Sequence, residues 1–167
     1  MEIRRLRQDE WSVLRDLRER AVTDSPDEMG ESLRELQTRT SDQHWIEKAK
    51  RQTEHPERFG IFVAELGGSF YGTIDADIQD GEPSFVSLSA LWVAPEVRSR
   101  GIGERIVSAA LRWAKERGAA RARILVAETN HSALMFYERL GFVKDFEFPM
   151  RPPQAHQRFW WLSRHID

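Results

Sequence analysis

From Trp11 onward the apolar positions Leu14, Leu17 and Ala21 recur at helical spacing, and Asp9 stands where a capping side chain is expected. This pattern predicts a helix that stops near Thr23-Asp24-Ser25-Pro26, because the residue before a proline is pushed out of the helical region. Ile3 and Leu6 flank basic residues and predict a short strand ahead of it. Leu33 and Leu36 mark a second helical stretch, and Trp45, Ile46 and Ala49 mark a third, with Asp42 as its expected cap. The texture then changes. Phe59 to Leu66 is apolar and rich in strand formers, Gly67-Gly68 is a hairpin turn, and Phe70 to Ile78 alternates Ile74, Ala76 and Ile78 against Asp75 and Asp77. A turn at Asp80-Gly81 and a strand from Phe85 to Val93 complete an expected antiparallel meander.

After Pro95 the period returns to that of a helix. Ile102, Ile106, Ala109, Ala110, Trp113 and Ala114 share one face, charged residues lie opposite, and Gly118 is the expected stop. Arg123 to Ala127 reads as a strand, and Ser132 to Leu140 as a helix ended by Gly141. Phe142 to Phe148 and Phe159 to Leu162 read as two last strands, with Pro149, Pro152 and Pro153 in a loop between them. No repeat or linker divides the chain, so residues 1–167 are expected to form a single mixed α/β domain.

Composition narrows the chemistry. Cysteine is absent, which excludes a disulfide framework, a thiolate metal site and a cysteine nucleophile. The net charge of −2 and the interspersed charges do not call for nucleic acid or a membrane as partner. Met1-Glu2-Ile3 is followed by no apolar run, so the expected location is the cytoplasm. His44, His55, His131, His156 and His165 show no metal-ligand spacing, and no metal is expected.

The segment Arg98-Ser99-Arg100-Gly101-Ile102-Gly103 opens the helix after the meander. A helix start offers unpaired N–H groups and partial positive charge, and glycines let an anion come close. A phosphate-bearing ligand fits, although a plain loop with arginines on its rim fits the same six residues. A dinucleotide fingerprint fails at its third glycine, which is Ile106 here, and a Gly-Lys-Ser/Thr phosphate loop is absent.

Downstream runs Asn130-His131-Ser132-Ala133-Leu134-Met135-Phe136-Tyr137-Glu138-Arg139-Leu140-Gly141-Phe142. Together the two segments resemble the GNAT superfamily of acyl-CoA-dependent N-acyltransferases. Arg98, Gly101 and Gly103 match its first motif, and Asn130, Ala133, Tyr137, Gly141 and Phe142 match the pattern N-x-x-A-x-x-x-Y-x-x-x-G-F. The resemblance runs from about Ser87 to Val143, and Asp24 to Gly30 looks like a segment of many uncharacterised bacterial members.

The resemblance implies a mainly antiparallel sheet of about seven strands flanked by helices and split between its fourth and fifth strands. It implies acetyl-CoA in that split as acyl donor. Leu91 and Val93 would pair with the pantetheine arm, and Trp92 would border it. Arg98, Ser99, Arg100, Gly101, Ile102 and Gly103 would hold the pyrophosphate. Asn130 and Ser132 would contact the cofactor, or simply cap a helix. Tyr137 would sit near the sulfur as general acid, and the backbone near Val93 would polarise the carbonyl.

Many relatives carry a glutamate on the fourth strand. Here that stretch reads Val86-Ser87-Leu88-Ser89-Ala90-Leu91 and contains no acid. Glu28, Glu31, Glu35, His44, Asp75 and Asp77 are the alternative bases, and Phe136 reads as core. The expected acceptor is a small-molecule amine, with a protein or peptide amine as the alternative. A coenzyme A-binding module without turnover is the non-enzymatic alternative. Trp160 and Trp161 must face opposite ways, so one of them is available to the acceptor cleft or to a subunit interface. Monomer and homodimer both remain open.

Overall fold

The computed structural model describes residues 1–80, 84–145 and 158–167. The chain runs β1 (Glu2–Arg5), α1 (Trp11–Asp24), α2 (Pro26–Met29), α3 (Leu33–Arg39), α4 (Asp42–Glu54), β2 (Phe59–Leu66), β3 (Ser69–Gln79) and β4 (Phe85–Val93). It continues through α5 (Ile102–Lys115), β5 (Arg121–Ala127), α6 (His131–Arg139), β6 (Val143–Lys144) and β7 (Phe159–His165). The strands form one sheet in the order β1-β2-β3-β4-β5-β7-β6. Every pairing is antiparallel except β4 with β5.

Two helix starts differ from expectation. Asp9 lies inside a short 3-10 turn, Gln8–Glu10, and caps nothing. Glu10 takes the local role instead: its carboxylate accepts the Arg7 N–H at 2.8 Å and pairs with Arg4 at 2.7 Å. Ser41 rather than Asp42 caps α4, because its short side chain reaches the His44 N–H. Asp42 becomes the first helical residue and pairs with Arg15. Of the strand expected from Phe142 to Phe148, Phe142 turns into the core, Val143–Lys144 pair with β7 and the Asp145 N–H donates to the Trp161 carbonyl at 2.8 Å, while 146–148 lie outside the described residues. The proline loop, Gly81 and His156 lie outside the described residues.

The sheet has two distinct faces. Leu14, Leu17, Ala21 and Val22 of α1 and Trp45 and Ala49 of α4 are buried on one side. There Lys48 and Arg51 of α4 reach down to Asp75 and Asp77, which share a face by the strand period of two. The apolar stripe of α5 covers the other side, where Ile106 lies so close to Gly72 that a β-carbon there would fall 2.8 Å from its Cδ1.

One irregularity sets the site. In the β3–β4 pairing Asp75 faces Ser89 and Thr73 faces Trp92, so β4 carries one residue more than β3. Ala90 absorbs the extra residue with a φ of 55°. Such a bulge bends its strand and resets the alternation beyond it. Ser89 and Trp92 therefore lie on the same face although they are three residues apart. Parallel pairing with β5 stops at Leu88 opposite Ile124, so from Ser89 the two strands run without partners on their facing edges.

Candidate active site

The gap left between β4 and β5 is a cleft of about 1270 Å³. Leu91, Trp92 and Val93 line its β4 wall, Ile124 to Ala127 its β5 wall, and Asn130, Phe136 and Tyr137 its floor on α6. Arg98, Ser99, Gly101, Ile102 and Gly103 close one end. The two sequence segments, some 30 positions apart, thus meet around one space. Arg100 is exposed beside the turn and is not among the lining residues.

At the turn, Gly101 has a φ of 73° and Ser99 a φ of 61°. The first amide tied into α5 is that of Arg105, which donates to Gly101 O at 3.1 Å. Among the described residues no acceptor takes the N–H groups from Ser99 through Glu104, so this helix start has donors to offer. A β-carbon on Gly103 would stand 3.3 Å from the Phe136 ring, so glycine permits the close approach of α5 and α6. Phe136 is half-buried and lines the cleft; it is not plain core.

The Arg98 side chain is already engaged. Its Nε donates to the Val93 carbonyl at 2.9 Å and its guanidinium pairs with Asp24. Asp24 also accepts from Trp92 Nε1 at 3.0 Å and from Ser25 Oγ at 2.7 Å. Burial works against the charged form of this carboxyl, but the hydrogen bonds from Ser25, Trp92 and Arg98 outweigh it and hold the pKa below its ordinary value. Asp24 is a site residue the sequence reading did not single out. Its signal was an acid at the end of a helix, where the dipole disfavours it.

Tyr137 is 2% exposed, and its ring packs edge-on against Phe136 and Phe142. Its hydroxyl has no partner among the described residues, and burial pushes its pKa up, so it remains a protonated phenol. Asn130 caps α6, its Oδ1 accepting from Ala133 N and Ser132 Oγ, each at 3.0 Å. Asn130 and Ser132 also line the cleft.

The candidate bases separate. Glu31 is held by Arg18 and Arg39, Glu35 by its own helix cap at Ser32, and Asp77 by Arg51. His44, Glu28 and Asp75 line the cleft. Asp75 is 7% exposed and paired with Lys48 at 2.6 Å. Burial and the nearby Lys48 and Arg39 charges push the His44 pKa down, which favours the neutral imidazole. On the opposite wall Phe159 and Trp161 line the cleft, while Trp160 lies under Lys144. Among the described residues no group of His, Asp and Glu could hold a metal ion, and no helix is long and apolar enough to cross a membrane.

Residues 14–142 match the family model described as acetyltransferase (GNAT) family. An uncharacterized N-acetyltransferase of Methanocaldococcus jannaschii is 36% identical over 87 residues, 50% of this chain and 38% of that protein. A mycothiol acetyltransferase of Thermobispora bispora is 27% identical over 132 residues, 77% of this chain and 41% of that protein. The chain thus spans about two fifths of the length of these relatives. The crystal structure of PaiA N-acetyltransferase from Thermoplasma acidophilum in complex with coenzyme A superposes with a TM-score of 0.79 over 98% of both chains at 16% identity, a likeness of fold.

Proposed function

The chain belongs to the acetyltransferase (GNAT) family, and from that premise we propose that it moves an acetyl group from acetyl-CoA directly to a primary amine of a small molecule. The observation that carries this reading is the gap between β4 and β5, which ends at a helix start whose N–H groups have no partner among the described residues and has on its floor a phenol that likewise has none among them. The free edge of Leu91 to Val93 suits an extended ligand arm, which would add as a further strand. The turn from Arg98 to Gly103 suits a pyrophosphate, with Asn130 and Ser132 beside it.

In the transfer the amine nitrogen forms a bond to the acetyl carbon and the carbon–sulfur bond breaks. The sulfur leaves with the electron pair and takes a proton. Tyr137 is the donor for that proton, because it lines the cleft and stays protonated. Backbone N–H near Val93 is the donor for the carbonyl oxygen. The proton lost by the amine goes to a group on the α4 side of the cleft or to solvent. The chain has no cysteine to form a thioester of its own, which favours direct transfer.

The test has two stages. Acetyl-CoA at 100-fold its Kd stabilises a folded protein by about 2.7 kcal/mol, a rise in Tm of roughly 5–10 °C at this chain length. Release of free coenzyme A in the presence of small amines then reports turnover, and the absence of cysteine leaves a thiol reagent no background from the protein. No rise in Tm sinks the proposal. Serines at 87 and 89, where many relatives carry an acid, favour a second reading, a coenzyme A-binding module. A rise in Tm without turnover on any amine supports that reading.

A further inference from the structure

A single row of side chains crosses the α4-side face of the sheet at the level of the split. Asp75 of β3 stands opposite Ser89 of β4, Ser89 adjoins the unpaired edge facing Leu125 of β5, and Leu125 stands opposite Trp161 of β7. All four line the cleft, and Phe159, two residues from Trp161, shares its face. The row changes character at the split. Its β3 side is polar and already satisfied: Asp75 is held by Lys48 at 2.6 Å, and nearby Arg18 and Arg39 are held by Glu31. Its β5 side is apolar and, among the described residues, uncovered. Leu125 is 41% exposed although both its neighbours in the strand are buried, and Phe159 and Trp161 are half-buried.

Resting on the reading of the cleft as an acyl-transfer site, we infer that the acceptor is a primary amine carried by an aromatic or branched apolar body, which lies on Leu125 and Trp161. An acceptor with several positive charges needs unpaired acids. Among the described residues the acids on the cleft walls without a hydrogen bond or ion pair are Glu28 and Glu104, and Glu104 belongs to the first turn of α5, at the glycine turn and not in this row. An apolar body instead covers surface that water hydrates poorly, and it does so without breaking an existing ion pair.

The experiment compares kcat/KM for coenzyme A release with phenethylamine, isoamylamine, ethanolamine and spermidine on the full chain. The expected result is at least a tenfold preference for the first two over the last two. Leu125→Ser, at an exposed position, and Trp161→Ala each shrink that preference about tenfold, mainly through KM for the apolar amines. Acetyl-CoA raises the Tm of both variants as it does that of the parent, which shows that they fold. A preference for spermidine or ethanolamine overturns the inference. So does an equal loss on all four amines in the variants, or turnover on none of them while acetyl-CoA still raises the Tm. A failure of acetyl-CoA to raise the Tm of the parent is the distinct result that removes the acyl-transfer reading itself.

Discussion

Asp24, the last residue of α1, holds the guanidinium of Arg98 across 74 positions of sequence, and the same carboxylate oxygen takes the Trp92 indole N–H. Arg98 in turn fixes the Val93 carbonyl at 2.9 Å. One acid therefore ties the end of α1 to the bulged strand and to the glycine turn. It does so from a helix C-terminus, where the macrodipole opposes a negative charge. Asp24→Asn keeps the shape and removes the charge. Its expected effect is about a tenfold rise in Kd for acetyl-CoA, equal to about 1.4 kcal/mol, measured by calorimetry. Tighter binding in the variant would show instead that Asp24 holds Arg98 back from the ligand.

The same carboxyl gives a pH dependence. Its folded pKa lies below the unfolded value of about 3.9. The stability it contributes is therefore present above that value and is lost as pH falls through the lower, folded value. Acid unfolding of Asp24→Asn should show a shallower dependence below about pH 4 than the parent. Identical acid limbs would rule the linkage out.

Tyr137→Phe removes the hydroxyl and keeps the ring between Phe136 and Phe142. As the proton donor to sulfur, the hydroxyl should be worth about 100-fold in kcat, with Kd for acetyl-CoA changed by less than about twofold. Because burial raises its pKa, the parent rate should show no fall up to about pH 10 from this group. Unchanged turnover in the variant would dismiss Tyr137 as the acid.

His44 has a folded pKa below the ordinary value, so the unfolded chain takes its proton first as pH falls. The group thus costs stability below about pH 6.5 and nothing above it. If the amine proton passes to this imidazole, kcat/KM has an acidic limb below that value, and His44→Gln abolishes the limb and most of the rate. A limb that survives in His44→Gln would move the role to Glu28 or to solvent.

Gly101→Ala places a side chain at a φ of 73°, in open space with no atom within 4 Å. The strain alone should lower stability by about 1 kcal/mol, or roughly 2–4 °C in Tm. A loss several times larger in a thermal melt would mean that the turn is packed more tightly than its geometry indicates.

Much of this was legible from residue order. The amphipathic spacing from Ile102 to Ala114, the strand alternation from Phe59 to Val93 and the glycines after Arg98 act over a few residues, so a linear reading finds them. The same holds for the pairing of the glycine turn with Asn130 and Tyr137, two local signals in a set order. Helix starts were less secure, because Ser41 and Asp42 are both competent caps and only side-chain reach separates them.

The sequence by itself determined most of the elements, the family and the two segments that meet at the cleft, since each rests on periodicity or on a local motif within one segment. Only the tertiary structure decided the rest. The bulge at Ala90 places Ser89 and Trp92 on one face against simple alternation. Long-range ion pairs engage Glu31, Asp75 and Asp77, and leave His44 and Glu28 facing the cleft. Antiparallel register brings Trp161 beside Leu125. Strand register and charge pairing depend on partners dozens of residues away, so they exist only once the chain has closed on itself.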